Sequence, residues 1–313
     1  MKRYSGLDVL KFVAAFGIVG CHLGIGDKTE GANVAMRLTD MNVGIFAAIS
    51  GFFVANGLNK NESLRVALRK RVVRLLPIYL MWSGIYLTAS TLIARHFDRL
   101  LDFQYLIGVI VRGGAACHLW YLIALLYFSI LVLLLSRFSP TMMQNKFFLS
   151  GAIALWLWVA TLGDYTFWFG YYFGRLVAFS LFGMLLYGLR EKFVRLPWIV
   201  WVGLGLAGVL FRLCCDGLAH KFILDAIGTI AILPMFVNWP WRMEHLGSKL
   251  ASLSFGVYLI HPLFAAVVAI IARRYLSVPV DLWGMMTMWF AVWGAAIVIA
   301  LFMGRIPVVR RFV

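Results

Sequence analysis

Residues 7–24 read LDVLKFVAAFGIVGCHLG. The run is apolar and long enough to cross a bilayer, yet it holds Asp8, Lys11 and His22. An ionisable side chain at the bilayer centre costs about 2.5–3.5 kcal/mol or more, so such residues mark functional paths by default. Imidazole is the side chain that most readily takes and returns a proton near neutral pH. A helix carrying these three groups reads as the lining of a reaction path.

The spacing supports that reading. Each residue of a helix turns by about 100°. With Lys11 at zero, Asp8 falls near about 60° and His22 near about 20°. Gly17, Gly20 and Gly24 fall on the opposite side, where small residues let another helix approach closely. One side is built to pack and the other to present polar groups to a cavity. At about 1.5 Å rise per residue, Lys11 and His22 stand about 16 Å apart along the axis. Asp8 is about 21 Å from His22 by the same rise. It is placed to pair with Lys11 at i,i+3, and not to orient the imidazole. The plainer alternative is snorkelling of all three groups to the two membrane surfaces.

A second cluster is cationic. In ESLRVALRKRVVRLLPIYL, Arg65 and Arg69, and Lys70 and Arg74, are spaced i,i+4, and Arg71 and Arg74 are i,i+3. This is a helix entering the membrane with a basic face. Arginine forks suit phosphate oxygens. Lipid headgroup binding and a simple orientation bias are the competing readings.

Other polar groups sit in apolar surroundings. His118 opens one span and Arg175 lies about one turn into another. Ser254, Tyr258 and His261, spaced i, i+4 and i+7, share a face, and Pro262 is expected to kink or thin that helix. Asp225 lies one turn into a further span. Cys21, Cys117, Cys214 and Cys215 show no CxxC spacing, so neither a zinc site nor a disulfide framework is indicated. No HExxH, Walker or GxGxxG pattern occurs, and no metal site is expected.

The elements that must position these groups follow from composition. The 313 residues are 63% hydrophobic and 13% charged, with a mean hydropathy of +0.88. A soluble domain averages about 45–50% apolar and about 25% charged. The chain is expected to be an all-α integral membrane protein, a bundle of about ten helices around a central cavity. The spans fall near 7–25, 41–58, 76–94, 118–136, 147–163, 171–189, 197–213, 221–239, 250–272 and 282–304, each close to the length that a core of about 30 Å requires. No signal peptide is expected, and one membrane domain over 1–313 with no fused soluble domain. The net charge of +16 is mostly an orientation signal. Most lysines and arginines outside the spans fall on the side of the N-terminus, which puts both termini in the cytoplasm and argues against nucleic acid as a partner.

The motifs also resemble a known family. Lys11, ten residues, then His22, within RYSGLDVLKFVAAFGIVGCHL, resembles the first-helix signature of the acyltransferase 3 family. ISGFFV at 49–54 resembles its second-helix signature, and RVVRLLP, with Arg71 and Arg74, its RxxR motif before a proline. HLWYL at 118–122 and SFGVYLIHPL at 254–263 resemble its middle and late motifs. The likeness runs from residue 3 to about 304. It departs in two ways. Lysine stands where arginine is frequent, which keeps the charge but loses the planar fork, and no SGNH-type hydrolase domain is fused. For the family's additional acidic residue, Asp225 and Asp164 are weak candidates.

The resemblance implies a multi-pass acyltransferase of the bacterial cytoplasmic membrane, usually an O-acetyltransferase acting on cell-envelope glycans. No permanently bound cofactor is implied. Acetyl-CoA or a similar acyl-CoA is the co-substrate, and the acceptor is a glycan or lipid-linked sugar. Membrane lipids and envelope-biosynthesis proteins are the other expected partners. CoA phosphates would sit on Arg71 and Arg74, with Arg65, Arg69 and Lys70 adding field, and the pantetheine arm would run past Lys11 toward His22. His22 would be the general base, or form an acyl-histidine. Arg175, His118 and Tyr258, in that order, are candidates for oxyanion stabilisation. Asp8, Ser254, Tyr258 and His261 are expected to be structural or to line the substrate path, His261 as a structural residue. Two other classes compete: a secondary transporter or flippase for an anionic or glycan substrate, and a non-catalytic scaffold.

Overall fold

The computed structural model describes residues 4–23, 29–58, 63–94, 100–162, 168–193, 196–214, 221–240, 243–275 and 280–306. Among these residues the protein is all-helical. The helices are α1 (Ser5–Cys21), α2 (Glu30–Leu58), α3 (Leu64–Ala94), α4 (Phe103–Arg112), α5 (Trp120–Phe138), α6 (Lys146–Leu162), α7 (Arg175–Phe193), α8 (Trp198–Cys214), α9 (Lys221–Val237), α10 (Glu244–Tyr275) and α11 (Leu282–Arg305). Six of them, α2, α3, α5, α7, α10 and α11, are long and apolar enough to cross a membrane. Helices α4, α6, α8 and α9 are apolar but shorter. The chain is a multi-pass membrane protein, and helices are the form in which hydrocarbon tolerates a backbone, because every N–H and C=O is satisfied within the segment.

Each of the ten segments expected from sequence falls on a helix, but several boundaries move. Helix α2 begins at Glu30 and so carries Arg37 and Asp40, which the sequence reading left outside it. Helix α3 begins at Leu64, so the basic cluster and the span behind it are one continuous element. Pro262 does not interrupt α10, which continues to Tyr275. The proline removes only the N–H that would have bonded the Tyr258 carbonyl. Helix α4 was not expected. Asp102 caps it by accepting from the N–H groups of Gln104 at 2.9 Å and Tyr105 at 3.2 Å, and Gly113 ends it at a φ of 77° that only glycine adopts without strain. A π-helical turn over Phe169–Gly174 precedes α7 and makes Arg175 its first residue.

The chain forms two compact units, one within 1–49 and 189–311 and the other within 50–188. In the first unit α1 packs against α9, α10 and α11, α8 pairs with α9, and α10 with α11. Gly17 and Gly20 make the close approaches their size allows, but the division into a packing side and a cavity side does not hold. Val13, between them around the helix, is 50% exposed, while the stripe that bears Asp8 is covered by α10, with Leu7, Ala15 and Ile18 buried along it. A methyl group on Gly17 would overlap the amide of Asn42, and one on Gly20 would overlap the indole of Trp289. Trp289 stacks on Phe16 at 4.7 Å and donates its indole N–H to the Phe16 carbonyl. Gly24 and Cys215 lie outside the described residues.

In the second unit α3 packs on α4 and α5, and α6 on the π-helical turn. Tyr79 of α3 donates to the Val109 carbonyl at the end of α4. The ISGFFV stretch of α2 lies here from Ser50 onward. Gly51 meets the Ser180 backbone so closely that a Cβ would overlap its carbonyl. Ser50 shares a hydrogen bond of 3.0 Å with Tyr121, and Tyr187 donates to Asn56 at 3.2 Å. Small residues and cross-helix polar bonds are what hold helices together where lipid removes the hydrophobic drive.

Candidate active site

Helix α1 ends at Cys21, and His22 caps it, its N–H donating to the Val19 carbonyl at 3.2 Å. The side chain is half-buried. Its ring lies 5.1 Å, centroid to centroid, from the ring of His261 on α10, with a tilt of 40°. His261 is 0% exposed. Its Nδ1 is 3.0 Å from the Val257 carbonyl one turn back. A carbonyl only accepts, so Nδ1 carries the hydrogen, and in the neutral ring the lone pair sits on Nε2. Tyr258, one turn before His261, has its ring 6.4 Å from the imidazole. Ser254, a further turn back, is buried and donates to the Ala251 carbonyl at 2.7 Å. The shared face expected of Ser254, Tyr258 and His261 thus ends in a contact with His22.

At the other end of α1, Lys11 donates to Asp8 Oδ1 at 3.0 Å. This is the i,i+3 pair that the sequence spacing called for, and it keeps Asp8 away from the imidazole. Asp8 is buried, and Lys11 is partly exposed. A Cβ on Gly247 of α10 would stand 3.3 Å from Asp8 Cβ. Helix α10 therefore meets α1 at Asp8 through Gly247 and at His22 through His261. The same number of residues separates the two contacts on each helix, so α1 and α10 run parallel in step.

Of the two acidic candidates, Asp225 is engaged in a buried ion pair. It holds Arg212 in a 2.9 Å ion pair with the two side chains 0% and 2% exposed, and joins α8 to α9. Asp164 lies outside the described residues. Asp40 of α2 is a carboxylate close enough for its charge to reach His22. Sequence reasoning missed it because the span was begun at residue 41. A helix extended upstream through MRLTD would have brought it in.

The remaining candidates belong to the second unit. The basic start of α3 leaves Arg65, Arg69, Lys70 and Arg74 exposed and Arg71 half-buried, with the Arg71 guanidinium 3.5 Å from where a Cβ on Gly57 would lie. His118 is 2% exposed and meets Tyr86 edge to face at 5.0 Å. Arg175 is buried at the start of α7. A cleft of about 430 Å³ in the first unit, lined by Tyr4, Ser5, Trp198, Phe236, Asn238 and Trp239 among others, opens at the start of α1. That is the opposite end from His22, and among the described residues no carboxylate, imidazole or lysine lines it.

A family model described as an acyltransferase domain, that of acyltransferase 3, matches residues 4–305. No curated protein and no solved structure matches the chain.

Proposed function

The chain belongs to the acyltransferase 3 family, and from that membership we propose that it moves an acyl group, acetyl in the first instance, from cytoplasmic acyl-CoA to a hydroxyl of a cell-envelope glycan or lipid-linked sugar, with His22 as general base. The proposal includes about ten spans, both termini cytoplasmic, in a bacterial inner membrane. The observation that carries it is the place of His22: at the end of a helix in an apolar chain, half-buried, and in contact with a second imidazole.

The chemistry needs a base, a donor clamp and an oxyanion stabiliser. His22 takes the proton from the acceptor hydroxyl as its oxygen attacks the thioester carbonyl, and returns it to the leaving sulfur. A half-buried imidazole keeps one edge accessible while bulk water is largely kept out, which limits loss of the thioester to hydrolysis. The exposed fork of Arg74, with Arg71, Lys70, Arg69 and Arg65 on the same helix start, is the proposed clamp for the phosphates of CoA. Lys11, held by Asp8, lies about 16 Å before His22 on α1, within the reach of a pantetheine arm. Arg175 and His118 are the proposed oxyanion donors, with Tyr258 next.

The test is binding and turnover of acetyl-CoA by the purified protein in detergent, read as free thiol release. Wild type is expected to bind and slowly turn over the thioester. His22→Ala is expected to bind without turnover, and Arg74→Ala to bind about tenfold more weakly. A His22→Ala protein that folds, binds and turns over at the wild-type rate would sink the assignment of the base. If no form binds acetyl-CoA, the polar groups of α1 serve transport instead.

A further inference from the structure

The contact between His22 and His261 carries more than a place in the family. A base that works through one imidazole nitrogen must have its other nitrogen held, or the ring turns and the wrong tautomer meets the substrate. Nothing on α1 does this, because Asp8 is engaged with Lys11 at the far end of the helix. His261 has what is required. Its Nδ1–H is fixed on the Val257 carbonyl at 3.0 Å, so its orientation is set by its own helix. Its other nitrogen is an acceptor in the neutral ring. In the structure the two ring centres are 5.1 Å apart with a tilt of 40° and no hydrogen bond yet joins them at Nε2, so a turn of the half-buried His22 ring is what brings one of its N–H groups onto that acceptor.

We propose that His261 is the positioning residue of the acyl-transfer site: its Nε2 accepts the ring N–H of His22, and so turns the lone pair of the other His22 nitrogen toward the acceptor hydroxyl. This rests on His22 being the base. In the step, the acceptor O–H breaks and its proton goes to His22. The new C–O bond forms at the thioester carbonyl, the C–S bond breaks, and His22 delivers the proton to the departing sulfur. His261 gains and loses no proton. Two cationic imidazoles in contact would repel in a poorly screened interior, so a neutral His261 also leaves His22 free to take the charge. Asp40, on α2, is a carboxylate whose charge reaches His22, and it is the competing orienter.

The protein itself supplies a variant that separates an anchor from an orienter. Asn42 and Asn238 each donate their side-chain N–H to the carbonyl four residues back, at 2.8 and 2.9 Å. His261→Asn is therefore expected to keep the bond to Val257 while losing Nε2. With acetyl-CoA as the probe and thiol release as the readout, it should lower kcat by about 10²-fold, the scale of a general base made ineffective, with KM unchanged. The ring-nitrogen NMR signals of His22, assigned by their loss in His22→Ala, should show one tautomer in wild type and a mixture in His261→Asn. A kcat within twofold of wild type, a mixture already present in wild type, or a single tautomer that survives in His261→Asn and is lost in Asp40→Asn would each overturn the assignment of His261. Absence of thiol release from wild type would instead sink the acyltransfer reading beneath it.

Discussion

Arg212 and Asp225 form the most deeply buried ion pair among the described residues, Nε to Oδ1 at 2.9 Å with the arginine 2% and the carboxylate 0% exposed. The pair ties α8 to α9, and Arg37 of α2 adds a 3.2 Å bond from Nη1 to the Leu213 carbonyl beside it. A charge taken out of water is tolerable while its partner stays, and removing one partner strands the other.

Asp225→Leu and Arg212→Met should therefore each destabilise by about 3–5 kcal/mol. The double variant Arg212→Met with Asp225→Leu should recover much of the loss. Unfolding in mixed micelles checks this through a double-mutant cycle, and additive single effects would contradict it.

Lys11 and Asp8 make a similar pair at 3.0 Å with the lysine side chain 23% exposed. Its coupling in the same cycle should be smaller than that of Arg212 and Asp225, because solvent reaches one partner. Its loss should show more in catalysis. Lys11→Met is expected to reduce kcat/KM for acetyl-CoA while leaving the unfolding midpoint near wild type, and Lys11→Arg to restore activity. A Lys11→Met protein with full kcat/KM would take Lys11 out of the donor path.

Gly51 and Gly84 separate packing from propensity. A methyl on Gly51 meets the Ser180 backbone, whereas Gly84 has open space around it. Gly51→Ala should force two helices of the second unit apart and lower the thermal midpoint in detergent clearly. Gly84→Ala should be neutral or stabilise by up to about 1 kcal/mol, the difference in helix propensity. Equal effects at the two sites would show that the close approach at Gly51 is not maintained.

On the basic face, Arg74 is exposed and Arg71 is half-buried near Gly57. Arg74→Ala should raise KM for acetyl-CoA roughly tenfold, the worth of a charge-assisted hydrogen bond, with kcat little changed. Arg74→Lys should recover only part, since an ammonium lacks the fork. Michaelis curves at low salt decide it. An unchanged KM would leave the cluster as an orientation signal alone.

The features readable from sequence were those set by spacing along one helix. The i,i+3 bond of Lys11 with Asp8, the close approaches at Gly17 and Gly20, and the common face of Ser254, Tyr258 and His261 are all of that kind. What the sequence hid were contacts between elements far apart in the chain. Nothing in the spacing of α1 says that its last turn meets His261, or that Arg212 answers Asp225 across a helical pair. Asp40 was hidden for another reason. Polar residues such as Arg37, Thr39 and Asp40 end an apolar window, but the backbone goes on as helix. Helix α4 was missed because ten residues fall short of any spanning window, although Asp102 and Gly113 mark its ends.

The packing of α1 against α9, α10 and α11 bears on how the protein is made. The ribosome delivers α1 long before α9, α10 and α11, so the most charge-bearing stretch of that helix waits through the synthesis of the intervening helices for the neighbours that shelter it. Pairing of such distant segments is slow to close, and the interim state exposes polar groups to lipid. A nascent chain halted before α10 would lack His261, the residue proposed above to orient His22. On that proposal, activity arrives only when the C-terminal helices dock.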